Sequence, residues 1–201
     1  MEALTLTLGV GAALLSGVAY VIYNVQTRLG HSCPNAVSWS IWAFLSTLNA
    51  LSYREMTDDW VSTLQFVTGA VACILTFLYA LFSGKFAWPK PREWVVFALG
   101  AIAVLVWWKY QSATAASVIV ITAFMVSFIP TYEGVIKDPY KESPMAWVLW
   151  TIVFAVGALI VVLRDKEPIA LLNPILLAIS HGGVALLSTR KRKARFPKPT
   201  I

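Results

Sequence analysis

The stretch MAWVLWTIVFAVGALIVV, from Met145 to Val162, decides the fold. At 1.5 Å rise per residue, an apolar run of this kind approaches the roughly 20-residue helix that crosses about 30 Å of hydrocarbon. Working outward from it, the sequence predicts helices over Thr114–Tyr132 and Ile169–Ser188 on either side. Further along come Glu93–Trp108, Trp60–Phe82, Asn35–Leu51 and Leu4–Tyr23. Composition agrees: of 201 residues 58% are hydrophobic and 13% charged, and the mean hydropathy is +0.70. A soluble domain carries about 25% charged residues. Nothing alternates with period two long enough for a transmembrane β-barrel.

The first segment begins Met1-Glu2, without the Lys/Arg start, short apolar run and cleavage site of a signal peptide, and reads as a retained helix. Cys33 in a loop and Cys73 inside a helix make neither a disulfide framework nor a metal spacing. Connections are short, and no soluble domain fits between helices. The expected organisation is a first triple-helix bundle over 1–84, a linker helix over 85–110, a second triple-helix bundle over 111–189 and a basic tail over 190–201.

Basic residues near helix ends stay cytoplasmic. One set of loops holds Arg28, Lys85, Lys90, Arg92, Lys137, Lys141 and the tail Arg190, Lys191, Arg192, Lys193, Arg195 and Lys198; the alternate set holds only Arg54, Lys109, Arg164 and Lys166. With seven helices this puts the N-terminus outside and the C-terminus in the cytoplasm. The tail reads as a topology anchor, or as a contact for anionic lipid or a partner.

Shifting the chain by 108 positions lays Trp39 on Trp147, Trp42 on Trp150, Val18 on Val126, Tyr20 on Phe128, Ala50-Leu51 on Ala158-Leu159 and Leu64-Gln65 on Leu172-Asn173. Helices one to three thus align with helices five to seven, and the fourth has no counterpart. Three helices reverse the chain's direction and the fourth restores it, so the expected fold is an all-α integral membrane protein. It has seven transmembrane helices in a 3+1+3 parallel repeat. Such repeats about an axis along the membrane normal are a transporter plan, with the solute site at the interface between halves.

The stretch Ser127-Phe128-Ile129-Pro130-Thr131, followed by Lys137, Lys141 and the Trp147-Val148-Leu149-Trp150 helix, resembles the PQ-loop motif, a Pro-Gln near a helix end with a basic loop and a Trp-containing helix behind it. In the first half the matching stretch is Ala19 to Tyr23, then Arg28, then Ser38-Trp39-Ser40-Ile41-Trp42. The superfamily includes the SWEET and SemiSWEET sugar transporters, and the resemblance implies the 3+1+3 plan with the N-terminus outside. Thr131 stands where the family has Gln, and Ile22 where the first half would have Pro. The family's substrate-facing Asn residues on the third and seventh helices have Gln65 and Asn173 as nearest equivalents. The sequence is also similar to bacterial seven-helix membrane proteins that share a Pro-x-x-x-Ser-Trp-x-Ile-Trp helix start.

Trp39, Trp42, Trp147 and Trp150 suit either stacking on a sugar or aromatic solute or an interfacial aromatic belt; the i, i+3 spacing puts each pair on one face. Gln65, Asn49 and Asn173 are amides inside apolar helices, fit for a ligand or for bonding between helices. Pro130 removes a helix hydrogen bond and reads as a hinge or as a static kink. His181 reads as a proton carrier or as a neutral ring bonded to a carbonyl. Glu133 is expected to pair with Lys137 at i+4.

No phosphate loop, paired intramembrane carboxylates, metal cluster or Ser/His/Asp set is present in the sequence, which points away from an enzyme and calls for no cofactor or metal. Three functions follow as expectations: a transporter of a small polar, sugar-like solute; an accessory membrane subunit or sorting-receptor-like protein; and a carrier of an aromatic vitamin precursor similar to the PnuC group. The expected location is the cell membrane, as in a bacterial inner membrane. The expected partners are a small solute, anionic lipid at the tail and a second copy of the chain, with no nucleic acid.

Overall fold

The computed structural model describes residues 1–30, 36–82, 88 and 90–190. Cys33, Lys85 and the tail beyond Arg190 lie outside the described residues, so the readings placed on them stay as stated. Among the described residues the chain is all-helical. Its elements are α1 (Glu2–Arg28), α2 (Ala36–Thr57), α3 (Trp60–Phe82), α4 (Pro91–Tyr110), α5 (Ala113–Lys137), α6 (Pro144–Leu163) and α7 (Leu172–Ser188), with 3-10 turns at Pro139–Lys141 and Pro168–Leu171.

Six spans are long and apolar enough to cross a membrane: α1, α3, α4, α5, α6, and α7 taken with its leading turn. This is the make-up of a multi-pass α-helical membrane protein. α2 falls short of that hydropathy because it carries Ser38, Ser40, Ser46, Thr47, Asn49, Ser52, Arg54 and Glu55. Of these, Asn49 and Ser52 are buried, and Glu55 near the helix end is exposed. The two buried groups are shielded because α2 packs against α3, α5 and α4.

Helices outrun the apolar stretches that announce them. α1 continues from Tyr23 to Arg28, α2 from Leu51 to Thr57 and α5 from Tyr132 to Lys137. Hydropathy falls where a helix leaves the hydrocarbon, but its backbone hydrogen bonds do not stop there. α5 runs on through Pro130. α7 begins at Leu172, after a 3-10 turn that occupies the predicted start.

The packing pairs helices in a regular way. α3 lies against both α1 and α2, and α7 against both α6 and α5; α1 packs on α6, and α2 on α5. Exchanging α1 with α5, α2 with α6 and α3 with α7 maps this set of contacts onto itself. α4 packs on α5 and α2, with Gly100 leaving room for the Phe44 ring. Beyond α4, the chain turns through Gln111 in the left-handed conformation, and the Ser112 hydroxyl caps α5 by accepting from the Ala115 N–H.

Candidate functional site

The four tryptophans of the repeated Trp-x-x-Trp meet in one cluster. Trp39, Trp147 and Trp150 are buried and Trp42 is half-buried. A belt at the lipid interface would leave them outward, so the burial goes with the inward reading. Ring centroids lie 5.6 Å apart for Trp39 and Trp42, 5.3 Å for Trp147 and Trp150, and 6.1 Å for Trp42 and Trp147. These separations fall in the range of favourable tilted and edge-to-face contacts.

Two rings from α1 and one from α5 complete the cluster. Tyr20 stands 4.8 Å from Trp150, and Phe128 stands 5.0 Å from Trp42. Shifting the first contact by 108 positions gives the second. Likewise Tyr20–Trp39 at 6.2 Å and 65° corresponds to Phe128–Trp147 at 6.3 Å and 65°. Tyr23 adds contacts to Trp39 at 5.2 Å and to Trp150 at 5.8 Å.

This aromatic layer floors a vestibule of about 540 Å³ lined by residues of α1, α2, α4, α5 and α6. That size is in the range of roughly 300–1,000 Å³ typical of small-molecule sites. Tyr23, Trp39, Trp42 and Trp147 form the floor, and Pro130 on α5 lines the wall. The rim carries charges of both signs. Arg92 of α4 pairs with Glu133 of α5 at 3.0 Å, in place of the expected Glu133–Lys137 pair, because the α4 start lies alongside the α5 end. Glu93 accepts from the Lys90 backbone N–H at 2.6 Å and from the Ser38 hydroxyl at 3.2 Å. The buried Glu142 accepts from the Trp147 indole N–H at 3.3 Å.

Behind the floor lies a second, small chamber of about 40 Å³, lined by polar Ser16, Ser46, Asn49 and Gln65 among aromatic rings, with His181. His181 Nδ1 lies 2.7 Å from the Leu177 carbonyl, which only accepts, so this nitrogen carries the proton. This is the carbonyl-bonded arrangement, and the ring packs on Phe128, Trp147, Trp150 and Phe154. Gln65 is buried against Gly157 of α6, where a Cβ would overlap its amide. Asn173 lies apart from both cavities. Its amide donates to the Asn49 side-chain oxygen and, at 3.4 Å, to the Ser117 hydroxyl, joining α7 to α2 and α5.

The opposite end of the molecule carries a polar cluster that sequence reasoning missed. Arg164, ending α6, donates from Nε to Asp59 at 2.7 Å and from a terminal nitrogen to the Thr5 hydroxyl of α1 at 3.0 Å. The Asp59 side chain is 3% exposed and leads into α3. Burial works against its charge, but the Arg164 hydrogen bond, the Val61 backbone N–H and the Arg164 charge outweigh it. Together they hold the carboxyl below its usual range. Asp58 and Asp165, the neighbours of these two residues, both adopt the left-handed backbone that Asp tolerates, which makes the tight reversals that bring the pair together. Nearby, the buried Tyr53 hydroxyl donates to the Ala170 carbonyl at 3.0 Å, linking α2 to the turn that leads into α7.

No family model, curated protein or solved structure matches this chain.

Proposed function

We propose that this protein is an alternating-access carrier of a small polar, sugar-like solute. In this reading seven helices span the membrane, with the N-terminus outside and the basic tail in the cytoplasm. Residues 1–84 and 111–189 form two parallel-related triple-helix bundles, and 85–110 is the linker. The observation that carries the reading is the asymmetry along the molecule. A vestibule with an aromatic floor opens between the triplets at one end, while Arg164, Asp59 and Thr5 seal the other. A carrier caught open to one side has this form.

The mirrored ring contacts, Tyr20–Trp150 with Phe128–Trp42, support the repeat, since equivalent residues make equivalent contacts across the interface. The PQ-loop resemblance supports the same class. The solute enters the vestibule, stacks on the tryptophans and reaches the amide-lined chamber. Rocking of one triplet against the other opens the sealed end, with α5 bending at Pro130, where the helix lacks one hydrogen bond. His181, bonded through Nδ1, keeps its other ring nitrogen for the chamber, which is where proton coupling would act. No step calls for a cofactor or metal.

The tryptophan floor also suits a flat ring, which favours an aromatic vitamin precursor as the second reading. Tryptophan fluorescence of the purified protein, titrated with D-glucose, D-ribose, nicotinamide riboside and amino acids, tests both. Saturable quenching that is lost in Trp39→Ala/Trp147→Ala supports a carrier and names the solute class. A signal unmoved by every solute, together with a stoichiometric co-purifying partner, overturns it in favour of an accessory subunit.

A further inference from the structure

The two cavities share a single residue: Trp42 lines both the vestibule and the inner chamber. It is also the only one of the four clustered tryptophans that is not buried. Its indole is held by ring contacts to Trp39, Phe128 and Trp147. Such contacts are individually weak, so a rotamer change that separates them is accessible.

The chamber behind it carries two complementary unpaired atoms. Gln65 Oε1, an acceptor, and Trp150 Nε1–H, a donor, find no partner among the described residues, although their side chains are 4% and 2% exposed. Leaving such groups unpaired is unfavourable. A hydroxyl can donate to the one or accept from the other. Among the described residues no Asp, Glu, Lys or Arg lines the chamber, so a charged occupant would be desolvated without a counter-charge from them. About 40 Å³ holds a group of water or hydroxyl size.

We propose that the inner chamber is a binding site for an uncharged hydroxyl-sized group, and that Trp42 is the door through which it is filled from the vestibule. Water and a solute hydroxyl share the required chemistry. Only the solute as occupant rests on the carrier reading.

The test uses a protein with Cys33→Ser and Cys73→Ala, carrying Ser16→Cys in the chamber wall, reacted with neutral methyl methanethiosulfonate and with its charged sulfonatoethyl analogue. Ser127→Cys in the vestibule serves as the control for folding and access. The neutral reagent should label the Ser16→Cys protein well ahead of the charged one. Adding Trp42→Ala should raise that rate about tenfold or more, equivalent to about 1.4 kcal/mol of barrier, while Trp108→Ala, an exposed tryptophan that lines neither cavity, leaves it unchanged. Equal rates for the two reagents, or no acceleration specific to Trp42→Ala, overturns the proposal.

The Trp150 indole N–H resonance, assigned by Trp150→Phe, then reads the occupant. Rapid exchange in deuterated water marks water, and a shift that saturates with D-glucose marks a solute hydroxyl. A slowly exchanging signal unmoved by the sugar also overturns the site. None of these readouts requires transport, so failure here and failure of the carrier reading are told apart.

Discussion

Gly157→Ala tests whether α3 and α6 meet as described at the buried Gln65. A Cβ at Gly157 would lie 2.7 Å from Gln65 Cδ and Oε1 and closer still to Nε2, inside any allowed contact. Gln65 is 4% exposed, so the amide has little room to retreat without moving α3 from α6 or pushing into the chamber. Overpacking of this kind costs about 1–3 kcal/mol. Replacing a helical glycine by alanine returns up to about 1 kcal/mol. The overlapping atoms are the far end of a flexible side chain that borders the chamber, which places the cost in the middle of its range, for a net loss of about 1 kcal/mol. Gln65→Ala removes the obstructing amide and leaves a space that the new methyl partly fills. The double variant should therefore be more stable than the sum of the two single changes by roughly 1–3 kcal/mol. Unfolding in detergent, followed by intrinsic fluorescence across the four proteins, measures this coupling. Additivity within about 0.5 kcal/mol would refute the contact between Gln65 and Gly157.

Other positions give sharper or flatter responses. Asp59 has a depressed folded pKa, so its contribution is present above the unfolded value of about 3.9 and is lost as pH falls through the folded one. Asp59→Asn should lower Tm at pH 7 by an amount equivalent to roughly 3 kcal/mol, and the gap to the wild type should close below about pH 4; a gap independent of pH speaks against the buried pair. Tyr53→Phe leaves the Ala170 carbonyl without its donor and should cost about 1–3 kcal/mol in the same unfolding assay, with no change marking that bond as dispensable. Arg92→Ala breaks a pair whose side chains are 43% and 51% exposed, and Tm should shift by less than the equivalent of about 1 kcal/mol; a larger loss would mean that the vestibule rim holds the fold together.

The sequence carried the helices because each apolar run is long, and it carried the tryptophan cluster because Trp-x-x-Trp recurs at a fixed shift. Helix ends were less legible, since Lys137 and Arg28 belong to helices whose last turns are polar. The Arg164–Asp59–Thr5 cluster was not legible at all. Thr5 lies in α1, Asp59 immediately precedes α3 and Arg164 immediately follows α6, and each reads alone as an ordinary residue near a helix end. The choice between amides was hidden for a related reason: Gln65 faces the chamber because Gly157 makes room for it, whereas Asn173 meets Asn49. Neither fact can be seen without knowing which helices touch. Glu133 chose Arg92 over Lys137 because α4 lies alongside α5, which no local spacing announces. Tyr23 and Glu142, which help form the vestibule, look like routine helix-end or loop residues in sequence.

The most direct test of the central claim is solute counterflow. Purified protein in liposomes preloaded with unlabelled D-glucose, D-ribose or nicotinamide riboside is diluted into tracer of the same compound. The carrier account predicts a transient tracer overshoot for at least one compound, abolished by Trp39→Ala/Trp147→Ala. Flat traces for all three, from protein that retains its cooperative unfolding, would contradict it.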